Sequence, residues 1–174
     1  MNTDKELFKE IYQENFKYVY AFVYARLPGN QDSVEDLVQN VFTAAFNSMK
    51  KFRGKSSCRT WLCGIARHKI TDFYRKEIGN YPIEYMDELD KGVCTALEEV
   101  IITQEVKENV VKALNKLQPL YRYAIVLKYV DNCSVKEISK IIEKTPKAVD
   151  GILQRGKLKF KNEFVKLEGG NIDD

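Results

Sequence analysis

Residues 133–161, CSVKEISKIIEKTPKAVDGILQRGKLKFK, specify two helix starts through their side-chain chemistry. Ser134 and Glu137 have the spacing of a capping box, in which each side chain accepts a hydrogen bond from the other residue's backbone N–H. Thr145 followed by Pro146 supplies an N-cap and the proline favoured at the first helical position. The stretch therefore predicts a short helix, a three-residue turn and a longer second helix, which together form a helix-turn-helix.

The second helix of this motif has two different faces. Its inward stripe, at helical spacing, consists of Val149, Ile152, Leu153, Gly156 and Phe160. The outward face near its start, where a recognition helix contacts bases, holds Lys147, Asp150, Gly151 and Gln154. The cations that follow and suit flanking phosphates are Arg155, Lys157, Lys159 and Lys161. DNA binding is the favoured interpretation, and an ordinary helical hairpin with a basic face stays open as the alternative.

The rest of the chain also shows helical periodicity. A first helix ends at Pro28, Gly29 and Asn30, and a second begins at a capping box formed by Ser33 and Asp36. The stripe of this second helix runs through Val34, Leu37, Val38, Val41, Phe42, Ala45, Phe46 and Met49. A third stripe contains Trp61, Leu62, Ile65, Ala66, Ile70 and Phe73, and two more helices cover 106–117 and 121–129. No alternating strand pattern occurs, so the fold class predicted is all-α.

Charge is divided unevenly along the chain, although the total is only +3. Residues 48–76 carry nine cations against one acid, and residues 112–166 carry thirteen against five, a net of +8 in each block. Between the blocks, residues 77–103 hold seven acids against one lysine, a net of −6. Two basic modules joined by an acidic linker favour a polyanion bound at two separate places, although solvated helix faces would give the same totals.

The first basic block interleaves cations with aromatic residues and a small polar loop. Cations can follow a nucleic-acid backbone while aromatic rings or a loop pocket hold unpaired bases. Arg53, Lys55, Ser56 and Arg59 are the favoured candidates, whereas Trp61 and Phe73 are predicted to pack in the core. On the preceding helix, an outward stripe with few charges suits a protein partner: Asp36, Gln39, Asn40, Thr43 and Asn47.

Composition limits the remaining classes of function. The 174 residues are 44% hydrophobic and 30% charged, as in a folded soluble protein. Neither a membrane span nor a signal peptide is present, so the predicted location is cytoplasmic, with the four cysteines as thiols. Cys58, Cys63 and His68 cannot converge on one site, since five-residue steps rotate each side chain by about 140° on a helix. No catalytic residue, metal site or cofactor is therefore predicted.

A resemblance covers nearly the whole chain. Residues 35–42 (EDLVQNVF), 52–56 (FRGKS) and 60–76 (TWLCGIARHKITDFYRK) are similar to region 2 of extracytoplasmic-function (ECF) sigma factors. Residues 117–122, 134–142 and 149–160 resemble region 4. The resemblance implies two small helical domains. A region 2 bundle would occupy 1–77, an acidic linker 78–103, a region 4 helix-turn-helix 104–168 and a tail 169–174.

The resemblance also implies partners and contact residues. The partners are the clamp and flap of core RNA polymerase, promoter DNA and an anti-sigma factor. Implied polymerase contacts are Asp36, Leu37, Gln39, Asn40, Phe42 and Thr43. Implied contacts to the minus-ten element are Arg53, Lys55, Ser56, Ser57, Arg59, Arg67, His68, Lys69 and Arg75. Implied contacts to the minus-thirty-five element are Lys144, Thr145, Lys147, Asp150, Gly151, Gln154, Arg155 and Lys157.

Four positions depart from the pattern of this family. His68 stands where asparagine is usual, Asn40 where an acid is common, and Gly156 where alanine is frequent. Asp150 would repel phosphate unless it accepts from a cytosine amino group. Two rival functions stay open: a helix-turn-helix regulator that acts without polymerase, and a helical adaptor that binds only protein. The region 2 resemblance counts against both.

Overall fold

The computed structural model describes residues 2–52, 54, 56–79 and 104–169, and every regular element in these ranges is a helix. The helices are α1 (Asn2–Tyr24), α2 (Gln31–Ser48), α3 (Cys58–Gly79), α4 (Gln104–Lys116), α5 (Pro119–Tyr129), α6 (Val135–Ile141) and α7 (Pro146–Leu167), and a 3₁₀ turn (Met49–Lys51) follows α2. The all-α prediction is confirmed for this part of the chain. None of these helices is long and apolar enough to cross a lipid bilayer.

The chain divides into two compact units, Met1–Lys76 (unit 1) and Glu77–Asp174 (unit 2). Helix α3 continues through Gly79, past the position where the sequence pattern predicts the linker to begin. Most of that predicted linker, residues 80–103, lies outside the described residues, as does residue 170 onward. The candidate contact surfaces can therefore be built from each unit separately.

The core of unit 1 combines apolar residues from α1, α2 and α3. Its buried members include Val19, Val23, Val34, Leu37, Val38, Val41, Ala45, Leu62, Ala66 and Ile70. Burying a valine, leucine or isoleucine fully contributes about 1.5–3 kcal/mol, so the eight such residues in this list provide most of the stabilisation. The stripe predicted for α2 is confirmed as far as Ala45, but Phe46 is 43% exposed rather than inward.

The start of α2 differs from the prediction. Asn30, not Ser33, is the N-cap: its side-chain oxygen accepts a hydrogen bond from the Ser33 backbone N–H at 3.3 Å. Asparagine caps as well as serine does, and Gly29, with a φ of +75°, lets the chain reverse directly before it. The helix therefore begins at Gln31, and the proposed capping box of Ser33 and Asp36 is wrong.

Tyr74 links α3 to the end of α1. Its ring is only 1% exposed, and its hydroxyl donates to the backbone carbonyl of Arg26 at 2.8 Å. Arg26 is itself buried: its guanidinium stacks 3.5 Å from the Phe22 ring centre and donates to the Phe22 carbonyl. The stripe predicted for α3 ends with Phe73, which was expected to pack in the core, and does not include Tyr74. Phe73 is half-buried, so the inward position belongs to Tyr74.

Unit 2 is organised around α7, which packs against α4, α5 and α6. Its buried apolar residues include Ala113, Leu117, Tyr121, Tyr123, Ala124, Val126, Leu127, Ile138, Val149, Ile152 and Leu153. The buried amide of Asn109 on α4 donates to the Glu168 carboxylate just after α7, at 2.8 Å. These contacts hold the longer helix of the predicted helix-turn-helix on three sides.

Gly156 lies where α7 crosses α5. A methyl group added to it would stand 3.2 Å from the Ile125 Cδ1 atom and 3.4 Å from the Tyr121 Cβ atom. Both distances are at or below ordinary van der Waals contact between carbons. Close helix packing therefore explains the glycine at a position where the resemblance leads one to expect alanine.

Candidate nucleic-acid and polymerase interfaces

The helix-turn-helix forms with the predicted caps. Ser134 and Glu137 make a complete capping box at the start of α6: the serine oxygen accepts from the Glu137 N–H at 3.3 Å, and the glutamate accepts from the Ser134 N–H at 2.8 Å. The Thr145 hydroxyl oxygen accepts from the Ala148 N–H at 3.2 Å, with Pro146 in the first turn of α7. Both predicted helix starts are confirmed.

The turn between α6 and α7 is closed by two hydrogen bonds between Ser139 and Lys144. The serine hydroxyl donates to the Lys144 carbonyl at 2.6 Å, and the Lys144 N–H donates to the Ser139 carbonyl at 3.1 Å. Glu143, within this turn, has a φ of +57°. The angle between the two helices of the motif is therefore held by side-chain as well as backbone bonds.

The capping box predicts a pH-dependent contribution to the stability of unit 2. Hydrogen bonds from the Ser134 hydroxyl and N–H lower the pKa of the Glu137 carboxyl. A lowered pKa means that the stabilisation is complete above the ordinary carboxyl pKa and is lost as pH falls through the lowered value. We expect Glu137→Gln to reduce the urea midpoint at pH 7, and its difference from the native chain to shrink steadily below about pH 4.3.

Ser134→Ala provides the second arm of this measurement. Loss of an N-cap hydroxyl is expected to cost about 0.5–2 kcal/mol. If the difference in urea midpoint between Glu137→Gln and the native chain did not change with pH, the Glu137 carboxylate would be excluded as the source of the pH-dependent stability.

The two predicted faces of α7 are mostly confirmed by burial. Val149, Ile152 and Leu153 are buried, whereas Lys147, Asp150 and Gln154 are exposed. Gly151 is buried, so its predicted place on the outward face is wrong. It follows Asp150 directly but lies one hundred degrees further round the helix, toward the side that packs on the core.

The cations that follow the outward face of α7 differ in their exposure and in their side-chain contacts. Lys157 and Lys159 lie over the rings of Tyr129 and Tyr121, with Nζ 5.4 and 5.0 Å from the ring centres. Arg155 is half-buried, and its Nη1 atom is enclosed without a hydrogen-bond partner. Lys144 is half-buried and Thr145 is occupied as an N-cap. Aromatic packing thus orients Lys157 and Lys159, which the charge pattern alone does not show.

Four of the cations predicted for the minus-ten element lie along α3, together with His68. Arg59, Arg67, His68 and Arg75 are exposed, and Lys69 is half-buried. Ser56 is exposed, while Ser57 caps α3 by accepting from the Thr60 N–H at 3.1 Å. Arg53 and Lys55 lie outside the described residues.

Aromatic residues of α1 support two of these arginines. The Arg59 guanidinium lies 4.5 Å from the centre of the Tyr18 ring, which is 46% exposed, and Arg67 lies 5.8 Å from the Phe22 ring. Cation–π contacts of this kind contribute about 0.5–1 kcal/mol at exposed sites. Tyr18 was not among the residues predicted for this surface, although its four-residue spacing from Phe22 was a usable signal.

The cysteines of α3 have no feature of reactive thiols. Burial raises the pKa of Cys58, with Glu14 adding to the effect. Burial also raises the pKa of Cys63, and Arg26, Arg67 and Arg59 only partly oppose it. A raised pKa keeps the thiol neutral and weakly nucleophilic. Within the described ranges, no group of His, Cys, Asp or Glu residues is arranged to hold a metal ion.

Helix α2 presents the predicted polar stripe beside an aromatic groove. Asp36, Gln39, Asn40 and Thr43 are all exposed. The groove has a volume of about 610 Å³ and is lined by Phe8, Tyr12, Phe16, Tyr20, Glu35, Val38, Gln39, Phe42, Thr43 and Phe46. Four of its rings come from α1, spaced four residues apart, so α1 and α2 build this surface together.

Two of the residues implied as polymerase contacts are buried. Leu37 is 5% exposed and Phe42 is 4% exposed. Phe42 contacts the rings of Phe8, Tyr12 and Phe16, with centroids 4.7–6.4 Å apart, and forms the floor of the groove. The prediction that both side chains are offered to a partner is therefore corrected: Leu37 anchors α2 in the core, and Phe42 supports the groove from below.

The comparisons with known proteins match these two units separately. The family model for sigma-70 region 2 matches residues 11–78, and the model for sigma-70 region 4 matches residues 107–160. Together they span well over half of the chain. The chain belongs to the sigma-70 family of RNA polymerase sigma factors.

Similar sequences place this sigma factor in the ECF group. It is 26% identical to the ECF RNA polymerase sigma factor SigX of Bacillus subtilis over 152 residues, which cover 83% of this chain and 77% of SigX. It is 29% identical to the RNA polymerase sigma factor YlaC of the same organism over 138 residues, 78% of this chain and 79% of YlaC. The predicted family is confirmed.

Among solved structures, the sigma factor RpoE of Bartonella quintana, in complex with the anti-sigma factor NepR, is similar at a TM-score of 0.47. The identity is 21%, over 96% of this chain and 98% of RpoE. As an ECF sigma factor, the chain acts in transcription initiation, with core RNA polymerase and promoter DNA as its partners.

Proposed function

We propose that unit 1 of this sigma factor binds core RNA polymerase and opens the minus-ten element, while unit 2 reads the minus-thirty-five element. The observation that carries the proposal is the capped start of α7, where Lys147, Asp150 and Gln154 are exposed opposite a buried stripe. A helix end of this kind, supported from behind by three other helices, is what insertion into a major groove requires.

In unit 1, the proposed docking surface is the stripe Asp36, Gln39, Asn40 and Thr43, together with the aromatic groove beside it. A polar rim around an aromatic depression matches the anatomy of protein–protein interfaces. The clamp of the polymerase is the proposed partner here, and its flap is the proposed partner of unit 2.

The proposed minus-ten surface is the exposed side of α3 and the loop before it. Arg59 and Arg67 stand over aromatic rings of α1, and His68 and Arg75 are exposed along the same helix. Guanidinium groups beside rings bind single-stranded nucleic acid through phosphate contacts and base stacking. Residues 53–59 would hold the extruded bases.

We assign 1–77 to docking and melting, 78–103 to an acidic connection, 104–168 to the upstream element and 169–174 to a tail. The proposed protein acts in the cytoplasm, catalyses no reaction, needs no cofactor and is held inactive by an anti-sigma factor, as its family implies.

Reconstituted transcription tests the proposal. The purified chain mixed with core polymerase is expected to elute as a stoichiometric complex and to start RNA synthesis at a subset of promoters. A chain that binds promoter DNA by itself but leaves core polymerase unbound would instead be a regulator that acts without the enzyme.

A variant pair tests the docking surface. Asp36→Ala with Gln39→Ala is expected to weaken binding to core polymerase about tenfold or more, since interface hot spots each cost over about 1 kcal/mol. Titration of fluorescently labelled sigma factor with core polymerase measures the affinity. The matched control, Glu10→Ala with Gln13→Ala, removes the same chemical groups from an exposed part of α1 outside the groove lining. Equal affinities for the two double variants would remove this stripe from the interface.

A further inference from the structure

Helix α7 carries two carboxylates with different surroundings. Glu163 accepts from the Lys166 ammonium at 2.8 Å and is thereby neutralised within the helix. Asp150 is exposed, and among the described residues nothing donates a hydrogen bond to it or forms an ion pair with it. Lys147, three residues earlier, is also exposed and does not pair with it. Asp150 therefore presents an unoccupied acceptor on an otherwise basic helix.

Asp150 belongs to a row of exposed residues that runs along α7 on the side facing away from the core. Lys147, Asp150, Gln154 and Leu158 are all exposed, and Leu158 reaches 58%. With a rise of about 1.5 Å per residue, Asp150 stands about 4.5 Å from Lys147 and about 6 Å from Gln154 along the axis. These steps correspond to about one to two spacings of about 3.4 Å between stacked bases, so Lys147 and Gln154 reach base pairs on either side of the one that faces Asp150.

A carboxylate on this line has an electrostatic cost. It repels the phosphates on both sides of the groove and so weakens binding to every DNA sequence. The carboxylate forms a favourable contact only with a base whose major-groove edge offers a hydrogen-bond donor and no neighbouring acceptor. Cytosine offers its N4 amino group alone, whereas adenine places the N7 acceptor beside its amino group, and guanine and thymine offer only acceptors on the major-groove edge.

Resting on the proposed function of unit 2, we infer that Asp150 reads one cytosine of the upstream promoter element by accepting a hydrogen bond from its N4 amino group. The same carboxylate rejects guanine and thymine at that position, because their O6 and O4 atoms would face it. Lys147 and Gln154 then contact the adjacent base pairs. Asp150 is a specificity residue that lowers general affinity and raises discrimination.

A promoter library tests this assignment on the complete holoenzyme. The upstream element is randomised, and the promoters that yield transcripts are sequenced for the native chain and for Asp150→Ala, Asp150→Asn and Glu163→Gln. The native chain is expected to prefer cytosine roughly 5- to 150-fold at one position on one strand. Asp150→Ala should lose that preference while binding non-promoter DNA more tightly. Asp150→Asn should move it toward adenine.

Glu163→Gln is the matched control, since it removes one carboxylate charge from the same helix. It should leave every base preference unchanged. If Asp150→Ala and Glu163→Gln raised binding to all sequences alike and altered no base ranking, Asp150 would be a charge without a reading role. A native holoenzyme that selected no upstream sequence at all would overturn the function proposed for unit 2, a result distinct from the failure of Asp150 alone.

Discussion

Replacing Leu62 by alanine is expected to destabilise unit 1 by about 2–5 kcal/mol, because a buried leucine leaves a cavity that its neighbours fill only in part. The Leu62 side chain is 0% exposed, in the middle of α3. Small domains are stable by only about 5–15 kcal/mol, so the loss is a large share of the total. Urea unfolding followed by the fluorescence of Trp61, the single tryptophan in the chain, measures the change.

The functional effect of Leu62→Ala should include weaker promoter opening. Arg59 and Arg67, on the same helix, would lose the fixed positions over Tyr18 and Phe22 from which they are proposed to engage the melted strand. Ile65→Ala is the control, since Ile65 is only half-buried on α3 and should cost markedly less. Equal losses at the two positions would mean that Leu62 does not occupy the core.

Gly156→Leu is expected to destabilise unit 2 by about 1–3 kcal/mol or more, since inserting atoms into a packed contact forces the helices apart. The first added atom already meets Ile125 at 3.2 Å, and three further carbons have no space between α7 and α5. Displacement of α7 should also abolish reading of the upstream element. Thermal unfolding followed by circular dichroism and footprinting of the holoenzyme measure the two effects.

Gly64 provides the control for this substitution. It lies in the interior of α3, and a methyl group added to it would have no atom within 4 Å. Replacing an exposed helical glycine by alanine stabilises by about 1 kcal/mol, so Gly64→Leu should raise or preserve the unfolding temperature. Destabilisation of equal size at both glycines would refute tight packing of α5 against α7.

The helix-turn-helix and its faces could be predicted because the determining rules act over a few residues. Ser134 and Glu137 bond each other's backbone N–H, and Thr145 bonds the Ala148 N–H three positions on, so local spacing alone identifies these caps. The stripe Val149, Ile152 and Leu153 follows from helical periodicity. The buried stripe of α2 was predicted in the same way, except that Phe46 is exposed.

One error occurred where two neighbouring residues were almost equally suited to the core, and the others have separate causes. Phe73 and Tyr74 are both large and aromatic. The buried position belongs to Tyr74, whose hydroxyl donates a hydrogen bond to the carbonyl of Arg26, 48 residues earlier in the chain. Gly151 carries no side chain whose polarity could indicate a face. Leu37 and Phe42 matched a docking motif by position, yet their apolar side chains are more stable inside than on the rim.

The amino-acid sequence by itself determined the helices, the caps of α6 and α7, the division of charge and the family, since propensity, capping and periodicity are local properties. The tertiary structure alone decided which side chains are exposed and which are paired. It stacked Arg59 on Tyr18, enclosed part of Arg155, built a groove from two helices and left Asp150 without a partner. The physical reason is that burial and pairing depend on residues far apart in the chain, which no local pattern specifies.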